Sequence, residues 1–200
     1  MLQRGDKLYM FYHSQKMAAD MGIIQGYRTT GVDLVTIDAN GDLKVDMTEE
    51  GVAQVGTFNP YDVVEAETFA WSEGTSTIVG PKQNNNRNNR VLSSINARDY
   101  VGLEGVDFGT DGAQSVAMKI ASESGDKVEG KVVVYTDSIS SANKVGEIEV
   151  SADKDFKYMT AKLSKKITGT HRLFFRFEVE GILVDTWTFS KDAEPTVPVE

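Results

Sequence analysis

The chain has 200 residues, 40% hydrophobic and 26% charged, with 18 Gly, 4 Pro and no Cys. That composition fits one globular domain with a fragment beside it, and the lack of Cys excludes disulfides, thiolate metal sites and a cysteine nucleophile. A net charge of −9 argues against nucleic acid and against an anionic membrane surface as partners, and suits an uncharged ligand.

In chain order, residues 7–13 (KLYMFYH) have the aromatic-rich pattern of a strand. The start lacks the apolar stretch of a signal peptide, so an export signal is expected outside this chain if the protein is secreted. Residues 14–22 read as a short helix ending at Gly22. Val32 to Ile37 and Leu43 to Val45 flank Asn40-Gly41, a strong hairpin signal. Residues 1–47 thus amount to a strand, a loop and a hairpin, about one propeller blade. Residues 48–60 are a connector ending in the turn pair Asn59-Pro60.

A longer β pattern follows. Val63 to Glu67 is a short strand, and residues 91–108 hold two more, with Gly102 and Gly105 read as breaks. In 115–122 Val116, Met118 and Ile120 face one way and Lys119 the other. Residues 131–137 (KVVVYTD) form a β-branched run typical of a sandwich core. Residues 145–150 alternate. In 171–180 Leu173, Phe175, Phe177 and Val179 share a core face, opposite Arg176 and Glu178. Residues 182–189 close the series, with Trp187 and Phe189 in the core. Strands at this spacing predict an all-β sandwich. The Asn/Arg segment 83–90 reads as a solvated loop, and 193–200 as a linker or disordered tail.

Few residues carry chemistry. Glu65 and Glu67 lie two apart on one strand, so their carboxylates share a face and repel unless a cation intervenes. Trp71 and Tyr100 fit either a core or a binding role. His171, after Gly169-Thr170, reads as a structural hydrogen-bonder. No Ser–His–Asp pattern, phosphate-cradling glycine loop or HExxH is present.

Three segments resemble a family 6 carbohydrate-binding module: NPYDVVEAETFAWSEG (59–74), INARDYVGLEGVDFGTDGAQSVAMKIAS (95–122) and TGTHRLFFRFEVEGILVDTWTF (168–189). DKLYMFYHSQ and GYRTTGVDLVTIDANGDLK are similar to the last stretch of a family 43 glycoside hydrolase, a five-bladed β-propeller that cleaves arabinose or xylose linkages. Together the resemblances imply a jelly-roll β-sandwich with a preceding partial β-propeller blade. Residues 1–55 would be the propeller remnant, 60–190 the sandwich and 191–200 the tail. They further imply a chain without hydrolase activity, because the acids of such enzymes sit on earlier blades. The parent would be a secreted hydrolase supplying the rest of the catalytic domain, and the polysaccharide partner xylan or arabinoxylan. His13 and Arg28 fall where that family places polar residues near the propeller axis, and read equally as strand-end residues.

The resemblance also implies a structural Ca2+ held by Glu65, Glu67 and Asp185, completed by backbone carbonyls. For the sugar it points to Phe156, Ser94 and Asn96. Phe156 stands for the family's Trp, whereas its partner ring falls at Ser94, its orienting amide at Leu183 and its acid at Ile78. Each lost hydrogen bond to a ligand costs about 1–3 kcal/mol. Three outcomes stay open: new contacts from Asn84 to Asn89, Arg87 and Arg90; a second site on a sheet face that the sequence does not place; or a degenerate module that braces the hydrolase and binds no sugar.

Overall fold

A computed structural model describes residues 1–15, 28–48, 51–53, 55–80 and 89–198. Most of the expected helix at 14–22, and residues 83–88 of the Asn/Arg segment, lie outside these. The chain divides into two units, Met1–Val55 and Gly56–Glu200. Among the described residues no helix is long and apolar enough to cross a membrane.

The first unit is an antiparallel meander of β1 (Leu2–Arg4), β2 (Lys7–Ser14), β3 (Thr29–Ile37) and β4 (Leu43–Val45), in spatial order β1-β2-β3-β4. The expected hairpin joins β3 to β4. Its turn is held by the Asp38 carboxylate, which accepts from Asn40 N at 2.8 Å and Asp42 N at 3.1 Å. Opposite β2, the buried Asp33 carboxylate accepts from Tyr12 Oη at 2.5 Å, Thr48 N at 3.2 Å and Thr48 Oγ1 at 2.6 Å. His13 and Arg28 are exposed.

The second unit packs two antiparallel sheets. One has the order β13-β10-β15-β8-β7, with β5 also paired to β15; the other has the order β12-β11-β14-β9-β6. The strands are β5 (Val64–Glu65), β6 (Trp71–Glu73), β7 (Ser76–Val79), β8 (Arg90–Ser93), β9 (Tyr100–Asp107) and β10 (Ala113–Ser122). They continue through β11 (Val128–Thr136), β12 (Lys144–Ala152), β13 (Lys157–Ile167), β14 (Thr170–Glu178) and β15 (Ile182–Ser190). The only helical turn among the described residues is a 3-10 turn at Ser141–Asn143.

Alternation places the core as the pattern predicts. Leu173, Phe175 and Phe177 from β14 meet Val116, Met118 and Ile120 from β10, and Val184, Trp187 and Phe189 from β15. Phe175 and Trp187 lie 5.3 Å apart, and Phe108 meets Phe189 edge-on at 5.1 Å. Each fully buried ring of this kind contributes about 1.5–3 kcal/mol over exposure.

Two expectations need correction. Gly102 and Gly105 do not break the 91–108 segment, because both lie inside β9. Gly105, at φ +65°, absorbs a register shift between β9 and β14, the left-handed conformation a bulge needs. β13 is an eleven-residue strand where the sequence suggested none. Only Leu163 and Ile167 of it are buried, and its lysines face water. As a sheet edge it needs little apolar surface and gains from charge.

Candidate functional site

Backbone bonds at one end of the sandwich link the loops that carry the residues the family resemblance points to for sugar binding. Gly181 N donates to Ile95 O at 3.0 Å, Glu123 N to Gly181 O at 2.9 Å, and Ser122 N to Asp153 O at 2.7 Å. This relay stitches the Ser94–Asp99 turn, the β14–β15 turn and the loop carrying Phe156. Ser94 is exposed in the left-handed region at φ 55°. Asn96 is exposed, but its amide is occupied: Nδ2 donates to Ser94 O at 3.1 Å and to Asp99 Oδ2 at 3.3 Å. Phe156 and Leu183 are half-buried. Ile78 is exposed on β7, opposite Val91. This end therefore offers one ring and an amide already engaged in its own turn.

The outward face of the second sheet is better equipped. Trp71 on β6, Gly102 on β9, Phe174 on β14 and Tyr135 on β11 follow one another across the strands. Trp71 is 40% exposed and stacks on Phe174, with centroids 6.1 Å apart and planes inclined by 18°. Tyr100 meets Phe174 edge-on at 6.2 Å. Gly102 makes this possible: a Cβ there would lie 2.8 Å from the Phe174 ring and 3.1 Å from that of Trp71. Charged pairs rim the rings. The Arg172 guanidinium lies 5.6 Å from the Trp71 ring and donates to Glu104 at 2.8 Å. Arg176 pairs with Glu178 at 3.0 Å, and Lys131 with Glu147 at 2.8 Å. Flat rings with oriented donors and acceptors at their edges match a pyranose, which has an apolar face and equatorial hydroxyls. The sequence left Trp71 and Tyr100 undecided and missed Phe174. The available signal was register: Phe174 lies between Leu173 and Phe175, so it must point away from the core.

The acid set lies on the outward side of the first sheet. Segment 60–66 runs antiparallel to β15, with Phe189 N donating to Pro60 O at 2.9 Å and Ala66 N to Asp185 O at 2.8 Å. Glu65 pairs in register with Thr186. Asp185 is fully buried and accepts from Asn89 Nδ2 at 3.1 Å. Glu65 Oε2 and Glu67 Oε2 are each buried with no hydrogen-bond partner. Burial, then the neighbouring Glu67 and Asp185 carboxylates, pushes the Glu65 carboxyl above its ordinary range. Burial likewise raises Glu67, with Asp185 adding to it. Among the described residues no three His, Cys, Asp or Glu side chains are gathered into a ready-made metal cage. The orphaned carboxylate oxygens nevertheless suit a hard divalent cation, which prefers oxygen ligands and would offset the mutual repulsion.

His171 is accounted for structurally: Nδ1 faces the Asp137 carboxylate at 2.9 Å and Nε2 faces Thr168 O at 2.9 Å.

A two-sheet sandwich with a ring platform on one face and acids between its first and last strands has the build of a carbohydrate-binding module. The chain belongs to carbohydrate-binding module family 6, whose family model matches residues 65–191. It is 31% identical to the arabinoxylan arabinofuranohydrolase of Bacillus subtilis (strain 168), over 92% of this chain and 36% of that protein. It is 26% identical to the arabinoxylan arabinofuranohydrolase of Paenibacillus polymyxa, over 91% of this chain and 29% of that one. The chain thus spans about a third of the length of these curated relatives. A crystal structure of a glycoside hydrolase family 43 arabinoxylan arabinofuranohydrolase from Bacillus subtilis, in complex with cellotetraose, superposes with a TM-score of 0.80 at 30% identity. That match covers 92% of this chain and 39% of the other. A family 6 module from Clostridium stercorarium, solved with cellobiose, matches 70% of this chain at a TM-score of 0.57 and 21% identity, a likeness of fold.

Proposed function

We propose that this chain is the non-catalytic, sugar-gripping part of a secreted glycoside hydrolase acting on arabinosyl or xylosyl linkages, and that it binds xylan or arabinoxylan. The observation that carries this reading is the Trp71 ring, 40% exposed and stacked on the half-buried Phe174, with Tyr100, Arg172 and Arg176 beside it. An indole pre-stacked on a second ring presents a flat apolar face that a sugar ring can cover. The loop end with Phe156, Ser94 and Asn96 is a secondary subsite, supplying one ring and few free hydrogen-bonders. Hydrolysis belongs to the remainder of the parent enzyme. Glu65, Glu67 and Asp185 would hold a Ca2+ ion, which would supply counter-charge between β5 and β15, a stabilising role.

Calorimetric titration of the chain, with calcium present, against xylo-oligosaccharides and soluble arabinoxylan tests this. Saturable binding, with no release of sugar from arabinoside or xyloside substrates, is the expected result. The absence of heat at millimolar sugar would leave the bracing role in its place, and turnover of either substrate would overturn the non-catalytic assignment.

A further inference from the structure

The register of β10 against β15 changes at one point. Met118 pairs with Trp187 and Ile120 with Val184, so Asp185 and Thr186 together stand opposite the single residue Lys119. Met118, Ile120, Val184 and Trp187 all point into the core. The extra residue therefore turns Asp185 outward, onto the side that carries Lys119, as a β-bulge does when it re-aims a side chain. Lys119 Nζ lies 3.6 Å from Asp185 Oδ2, with its side chain only 14% exposed. It also lies 5.8 Å from the centroid of the Tyr158 ring, whose hydroxyl is 3.4 Å from Thr186 Oγ1. Lys119 thus has a second resting place, an aromatic face, beside the carboxylate it pairs with. Among the described residues, Glu65, Glu67 and Arg90 add charge around this pair.

We propose that Lys119 is a built-in counter-cation that competes with the divalent ion for Asp185, holding the acid set together without metal and setting how tightly metal binds. This rests on the calcium reading above. Two positive charges a few ångström apart oppose each other even in a partly hydrated site. Metal uptake is therefore coupled to displacement of the ammonium toward Tyr158.

The test titrates calcium chloride into the metal-free full chain, by calorimetry with chelator competition, for wild type, Lys119→Met, Lys119→Arg and Glu65→Gln. Lys119→Met should bind calcium about tenfold tighter, with a lower melting temperature in chelator, while Lys119→Arg stays near wild type. Unchanged affinity in Lys119→Met, or equal tightening in Lys119→Arg, overturns the proposal. A second measurement needs no variant. Acetylation of Lys119 in the wild-type chain, quantified by peptide mass spectrometry, should rise severalfold on adding calcium, and an unchanged rate refutes displacement. Glu65→Gln separates the two readings. If it alone abolishes binding while Lys119→Met changes nothing, calcium stands and the competition falls. If neither wild type nor Lys119→Met takes up calcium at millimolar levels, both fall. Binding seen only in Lys119→Met supports the competition in its strongest form.

Discussion

Replacing Trp71 with Ala is the sharpest probe of the sheet-face site. A Trp presents about 250 Å² of surface, so an indole that is 40% exposed offers about 100 Å² to a ligand. At about 25 cal/mol per Å² the ring supplies at most ~2.5 kcal/mol. Some of this survives truncation, because Phe174 beneath the indole becomes exposed in its place. A loss of about 1.4–2.5 kcal/mol corresponds to roughly 10- to 60-fold weaker binding. The fold should tolerate the change, since Trp71 lies on a three-residue strand at the edge of its sheet. Calorimetry on soluble arabinoxylan reads the affinity, and thermal unfolding verifies that the sandwich is intact. Phe156→Ala is the matched probe of the loop end and should cost less. If Trp71→Ala binds within twofold of wild type while Phe156→Ala abolishes binding, the sheet-face reading is refuted and the loop cleft is the working site.

Gly102→Ala should weaken sugar binding and lower stability by about 1–3 kcal/mol, because its methyl would lie 2.8 Å from the Phe174 ring; denaturant titration beside calorimetry reads both. Phe175→Ala, fully buried against Trp187, should cost about 3–5 kcal/mol by chemical unfolding, and a loss below 1 kcal/mol would contradict the assigned core. Glu65 and Glu67 are raised in the folded chain from the ordinary value of 4.5, so the native state holds their protons more firmly than the unfolded state does. Their contribution to metal-free stability is therefore greatest below pH 4.5 and is lost as pH rises above it. Calcium should then stabilise the chain more at pH 7 than at pH 5, and Glu65→Gln should flatten the metal-free slope. Equal calcium increments at both pH values would count against this linkage.

The core was legible because strands buried on one face must alternate: Leu173, Phe175 and Phe177, or Val116, Met118 and Ile120, declare their face from spacing alone. β13 was not legible, since an edge strand beside water carries lysines where an interior strand carries β-branched residues. Gly105 misled for a related reason, because a glycine that permits a bulge looks the same in sequence as one that ends a strand. At the site, the Glu65–Glu67 spacing was read as two carboxylates on one strand face, but β5 ends at Glu65 and Glu67 stands in the turn that Thr68 N closes on Glu65 O at 3.0 Å, while the closing-strand match supplied Asp185. Lys119 could be assigned to the outward side but not to Asp185, because that meeting depends on an unmatched residue in β15 that no local pattern announces. The Trp71–Phe174 platform needs three strands in register across Gly102, and such cross-strand neighbours are invisible along the chain.

The antiparallel pairing of segment 60–66 with β15 also governs how the module bears load. Chain enters beside Pro60 and leaves beyond Phe189, and these two are bonded to each other. Tension pulling the two ends apart would therefore peel this ladder rung by rung from its open end instead of shearing all rungs together. Upstream, Phe58 must first let go of Gly105 and Asp107; the peel then breaks the Pro60–Phe189 bond and reaches Val64 and Trp187, and after them Glu65, Ala66 and Asp185, where the acids lie. A cation held by those acids would act as a mechanical stop: the outer rungs would yield while the sandwich behind the acids stays closed around its rings.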